Sequence, residues 1–225
     1  MGAIPGRYGP YQETGPEYRG FDLMSWRADG RALYLSRPKY GVAWAYFDYN
    51  PDAVMLDLQT GEMTPLGDGE GIHDAEVSPD GRWLVQSRVT EWPEKGVIVM
   101  LKSLSDGTVQ TVACTEGALV AGDFSFSPNN NWLAWREWAQ PADGSVLIIR
   151  ALDLYTAASE PITVYEDKER MAPQIGGWLS SDELVLVYPA QGDSAGGHST
   201  VVRLPGVAPG DPLSDYSFIG LLGQQ

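Results

Sequence analysis

The sequence has little of what most enzyme chemistry needs. Of 225 residues one is cysteine, Cys114, and two are histidine, His73 and His198. A single cysteine excludes an internal disulfide, and two histidines exclude a histidine-rich metal centre. Bases are scarce too: 15 Lys and Arg stand against 30 Asp and Glu, a formal charge of −15. Phosphate backbones are held mainly by Lys and Arg, so neither nucleic acid nor an anionic membrane surface is expected as a partner. No run of 18 or more apolar residues occurs, and membrane insertion is not expected. The opening MGAIPGRYGPYQETGPEYRG lacks the basic-then-apolar pattern of a secretory signal. Phosphate-loop, dinucleotide and Cys-x-x-Cys patterns are missing, so no cofactor is expected.

What is present is apolar and periodic. Hydrophobic residues make up 43% of the chain, enough for a sizeable core, and no helical period interrupts them. Four segments align: Trp26–Leu35, Val77–Gln86, Phe126–Trp135 and Trp178–Val187. With Asp29, Asp80, Asn129 and Ser181 as equivalents, the spacings are 51, 49 and 52 residues. The last unit is one residue short. Each unit reads the same way. A strand ends in Trp26, Val77, Phe126 or Trp178, and Ser-Pro-Asp-Gly or a relative follows. Pro presets φ, Asp or Asn bonds the backbone ahead, and Gly or Asn tolerates positive φ.

Three further strands complete each unit. Second strands are expected over 32–36, 83–87, 132–135 and 184–188. Third strands follow over 53–58, 96–101, 145–151 and 200–204, and fourth strands over 63–66, 109–113, 162–165 and 216–222. Four antiparallel strands at a pitch near fifty are what a propeller blade requires. The fold class is therefore all-β, a β-propeller of four four-stranded blades, over residues 21–67, 72–114, 119–166 and 173–223. Residues 1–20 are an extended N-terminal segment. One sheet cannot bury both faces alone, and stacked blades bury them against each other. Trp26, Trp83, Trp132, Trp135 and Trp178 are read as packing between blades, and Cys114 as a small buried hydrophobe.

The segments VSPDGRWLV and FSPNNNWLAW resemble the Ser-Pro-Asp-Gly repeats of TolB-like propellers, which also occur in the propeller domains of prolyl oligopeptidase-type peptidases. WRADGRALYL is a weaker copy, and WLSSDELVLV matches by register. The resemblance covers nearly all the chain after residue 20 and implies fold more than function. It favours a periplasmic or extracellular location. Such propellers resemble rings of six to eight blades, so four repeats leave open a closed four-bladed ring, part of a larger propeller, or paired half-propellers. An open arc exposes apolar blade faces, and a weak homo-oligomer is expected.

The loops joining second to third strands gather arginine and aromatics: Arg37, Tyr40 and Trp44, then Arg88 and Trp92, then Arg136 and Trp138. That composition suits interface anchors, so these seven are the candidate partner-binding residues, for a protein or peptide.

Other motifs point to chemistry more weakly. Gly192–Gly197 fits G-x-S-x-G around Ser194, but a strand follows and no histidine lies beyond His198, so no catalytic residue is assigned. Asp48–Asp52 opens like a calcium loop but lacks the later glycine and acid. The acids Asp68, Glu70, Asp74 and Glu76 are expected to be solvated, and no metal site is assigned. The leading expectation is thus a non-catalytic module that binds protein or peptide. The alternatives are the propeller domain of a larger prolyl oligopeptidase-type peptidase, or a metal-dependent propeller enzyme.

Overall fold

The repeat becomes sixteen strands in a computed structural model that describes residues 21–27, 29–37, 52–67, 72–89, 96–141, 144–155, 161–167, 173–188, 198–205 and 209–213. The first sheet holds β1 (Asp22–Trp26), β2 (Ala32–Arg37), β3 (Asp52–Asp57) and β4 (Met63–Pro65). The second holds β5 (Ile72–Val77), β6 (Trp83–Val89), β7 (Val97–Ser103) and β8 (Val109–Ala113). The third holds β9 (Ala118–Phe126), β10 (Trp132–Ala139), β11 (Val146–Asp153) and β12 (Ile162–Asp167). The fourth holds β13 (Gln174–Trp178), β14 (Glu183–Tyr188), β15 (His198–Arg203) and β16 (Pro209–Leu213). Each sheet is an antiparallel meander in chain order.

The turn between first and second strands is closed by its own side chains. Ser78 Oγ accepts the Trp83 N–H at 2.9 Å and donates to Asp80 Oδ1 at 2.7 Å. Ser127 does the same with Trp132 at 3.0 Å and Asn129 at 2.9 Å. The following residue takes a left-handed conformation, φ 69° at Gly81 and 59° at Asn130, which Gly and Asn tolerate. In the fourth unit the Leu179 N–H reaches the Glu183 carbonyl, a loop one residue tighter than Ser78 to Trp83. The missing residue seen in the sequence is lost from this turn.

The cores lie between sheets. Tyr34, Ala53, Ala75, Val77 and Leu84 join the first sheet to the second. Val85, Val99, Leu101 and Val112 meet Phe126, Leu133, Trp135 and Leu152 between the second and third. Ala134, Ile149 and Val164 meet Trp178, Leu184 and Val202 between the third and fourth. Each Val, Leu, Ile or Phe among these contributes about 1.5–3 kcal/mol when fully buried. The first strands form a row, with β5 packing on β1 and β9, and β9 on β13. Among the described residues, no packing of comparable extent joins the fourth sheet to the first.

Three expectations are corrected. Trp26 is largely exposed, with no further sheet packed on it among the described residues; Trp135 and Trp178 are buried as expected, while Trp83 and Trp132 are partly buried against the cores. The second strands run longer than their apolar cores suggest, to Val89 and Ala139, because pairing with β7 and β11 continues through charged residues. The last fourth strand is Pro209–Leu213, paired with β15 after a short connection; residues 216–222 lie outside the described residues.

Candidate functional site

Two places bring polar or aromatic side chains together. The first is the inner row. Asp74 on β5 and Asp123 on β9 stand at the same repeat position, 49 residues apart. The sequence places Asp74 among solvated acids; it is in fact buried. Its carboxylate accepts the Asp123 N–H at 2.7 Å and the Ala75 N–H at 2.9 Å. Asp123 sits at a bulge in β9 with φ 54°, a backbone that costs energy for a non-glycine residue and that aims its N–H across the interface. A Cβ on Gly122 would lie 3.0 Å from Asp74 Oδ2, so the close approach needs glycine.

The Asp123 carboxylate pairs with the buried guanidinium of Arg136. Burial, and then the Asp123 charge, hold the Asp74 carboxyl well above the ordinary carboxylate range, although two backbone N–H groups oppose the shift. Glu76, two residues along β5, is pushed up to about 8 by burial. Asp68 and Glu70 lie outside the described residues.

The second place is the edge of the contact between the third and fourth sheets, where Tyr165 and Tyr188 pack against the shared core. Tyr188 ends β14 and His198 begins β15, in register; their rings stack 4.4 Å apart at 6°. Tyr165, from β12 of the third sheet, meets Tyr188 edge-on at 6.0 Å. Trp138 lies at the same end of β10, half-buried. Strand alternation puts it on the same face as Ala134, which packs toward the fourth sheet.

The seven predicted partner-binding residues fare differently. Trp138 is at this rim, but on a strand rather than a loop. Arg136 is also on β10, buried and ion-paired to Asp123, so it supports the inner row and is not a surface anchor. It aligns with Ser36 and Ser87, which is why it is out of register with the other two arginines. Arg88 lies within β6 and is half-buried, and Arg37 ends β2. Tyr40, Trp44 and Trp92 lie outside the described residues, as do Ser194 and its glycines.

Sequence reading missed Tyr165, Tyr188 and His198. Nothing local marks them; the signal available was that Tyr188 and His198 flank one loop. It also missed Glu137, fully buried on β10. Its carboxylate accepts Trp135 Nε1–H at 2.8 Å and the Thr115 N–H at 2.9 Å, and Arg150 donates to Thr115 Oγ1 at 2.9 Å and the Pro161 carbonyl at 2.8 Å. This network pins the link between the second and third sheets. Burial, and then Glu137, push the Cys114 thiol far up, which suits an inert side chain.

No protein-family model matches the sequence, and no curated protein matches it. The fold is similar to solved structures. Porphyromonas gingivalis dipeptidyl peptidase 4 aligns with TM-score 0.58 and 15% identity over 88% of this chain and 33% of that one. Oligogalacturonate lyase from Vibrio parahaemolyticus aligns with 0.57 and 13%, over 84% and 51%. The β-propeller domain of the Trilobed protease from Pyrococcus furiosus, described as having an open velcro topology, aligns with 0.51 and 14%, over 85% and 56%. The chain spans a third to little more than half of these proteins. The neighbours include propeller domains of prolyl oligopeptidase-type peptidases. At such identities the likeness establishes architecture, that of β-propeller blades.

Proposed function

We propose that this chain is a propeller module of a peptidase-type protein, and that it holds a protein or peptide segment without performing bond chemistry itself. The observation that carries the binding half is the aromatic rim: Tyr165 meets the stacked Tyr188–His198 pair at the edge of one inter-sheet contact, with Trp138 at the same end. Rigid aromatic rings on strand ends offer large contact area at low entropic cost. The kinship of architecture with peptidase propellers supports the other half.

The test is binding of fluorescently labelled, unfolded casein, read by anisotropy. Trp138→Ala with His198→Ala, the exposed ring of the stacked pair, is expected to weaken binding about tenfold or more, the loss of roughly 1.4 kcal/mol, while the melting temperature moves little. Binding unaffected by the pair contradicts the proposal. Labelling of this chain by a fluorophosphonate probe would contradict its non-catalytic part.

The alternative of a metal-dependent propeller enzyme needs His, Cys, Asp or Glu gathered in threes or more. Among the described residues no such group occurs, and nothing on the inner row favours that reading over binding.

A further inference from the structure

In every blade the next-to-last residue of the first strand holds one position of the repeat. These residues are Ser25, Glu76, Ser125 and Gly177, paired with Tyr34, Val85, Ala134 and Val185 on the second strand. Tyr34, Val85 and Ala134 belong to the cores shared with the following blade, so strand pairing puts Ser25, Glu76 and Ser125 on that same face. The last residue of each first strand alternates to the other face. Val77, Phe126 and Trp178 accordingly join the cores shared with the preceding blade. The two positions therefore oppose each other across each contact between blades.

Between the third and fourth blades this opposition is a hydrogen bond, in which Trp178 Nε1–H donates to Ser125 Oγ at 3.1 Å. Between the second and third blades the same two positions hold Glu76 and Phe126. Phe126 is buried in one core with Val85 and Leu101, and its side chain has no N–H to give. Burial alone acts on the Glu76 carboxyl, with no hydrogen bond contributing.

The charged groups around Glu76 do not supply what Phe126 lacks. On its own strand Asp74 is another acid, and it feels the Glu76 charge. On β9 Asp123 is an acid as well, paired with Arg136 of β10. β6 and β7 place Val85 and Leu101 in the same row as Glu76. Farther along this contact Glu137 accepts from Trp135 and Thr115, and Arg150 donates to Thr115 and the Pro161 carbonyl. Arg136 and Arg150 are thus engaged elsewhere. A neutral carboxyl tolerates such a place, whereas an ionised one needs a donor or water.

We propose that Glu76 is a pH-sensitive contact between the second and third blades. With its proton in place the carboxyl stays at the Phe126 position, and the two blades close as the third and fourth do. On losing the proton it turns to water, and the inner end of the contact loosens. Glu76 is half-buried, so this turn needs no unfolding of either sheet. The device stands on the repeat and is independent of the aromatic rim.

The experiment is NMR of the full chain labelled with carbon-13, following the glutamate carboxyl carbons and the Phe126 ring from about pH 5 to about pH 10. One glutamate carboxyl is expected to titrate at about 8 and to be missing from Glu76→Gln. The Phe126 ring signals should move with the same midpoint, and should stay still in Glu76→Gln. Phe126→Trp puts the Trp178 side chain at the equivalent place, where its N–H can hold the ionised carboxylate. Glu76 should then bind its proton at least about tenfold more weakly. A Glu76 that titrates in the ordinary carboxylate range, a Phe126 ring indifferent to its titration, or a titration unmoved in Phe126→Trp overturns the inference. Should Phe126→Trp fail to fold, the unaltered chain and Glu76→Gln decide by the first two results.

Discussion

Asp123 donates its backbone N–H to the buried carboxylate of Asp74 at 2.7 Å, joining the same position of two successive blades. The bond belongs to neither sheet's ladder. It fixes how the second and third sheets lie against each other, and Gly122 supplies the room. Replacing Asp74 by Ala is expected to leave that donor buried and unpaired, at a cost of about 1–3 kcal/mol. Asn at the same place keeps an acceptor and should cost much less. Urea denaturation of the two variants measures the difference, and equal losses would argue against the bond.

Gly122→Ala should be coupled to this carboxylate. The added Cβ meets Asp74 Oδ2 at 3.0 Å, and overpacking of that kind costs about 1–3 kcal/mol. In a double-mutant cycle with Asp74→Ala the combined loss is expected to be smaller than the sum.

The inner row also sets a pH dependence. Asp74 and Glu76 keep their protons to higher pH in the folded chain than in the unfolded one, Glu76 to about 8. Between the ordinary carboxylate range and about 8 the folded state therefore binds more protons, and stability must fall as pH rises through that window. The melting temperature is expected to be higher near pH 5 than near pH 9. Glu76→Gln should flatten the slope by about 1–2 kcal/mol, taking a discount for its partial exposure. A stability that rises over that window would contradict the assignment.

Ser78→Ala and Ser127→Ala test the repeat itself. Each removes one hydroxyl that closes the same turn on Trp83 or Trp132, so each should lose about 1 kcal/mol, and the two losses should match. Glu137→Ala is expected to cost more, about 2–4 kcal/mol, since it strands both the Trp135 indole N–H and the Thr115 amide.

These positions divide by how far apart in the chain their causes lie. Ser78, Asp80 and Gly81 were legible because a turn is written within five residues, and its recurrence at a pitch near fifty named the blade. The exposure of Trp26 was not, because burial of a blade face depends on whether another sheet stands beside it. Arg136 and Trp138 read as loop residues since strand pairing, not apolarity, carries β10 onward to Ala139. Asp74 looked like one of a run of surface acids. Its partner at Asp123, one repeat later, was the available signal, but an acid at both positions says nothing of burial until the two sheets are laid together. The aromatic rim joins Tyr165 to Tyr188 across different blades, and no local pattern foretells that meeting.

The account rests on blades stacked in series in one register, and the amide of Asp123 reports it most directly. This N–H points out of its own sheet, so only the second blade can shield it from exchange with solvent. Hydrogen exchange followed by NMR is expected to place the Asp123 amide among the protected amides of the third sheet, with protection lost in Asp74→Ala and kept in Asp74→Asn. An Asp123 amide that exchanges as fast as an exposed loop in the unaltered chain would contradict the stacking.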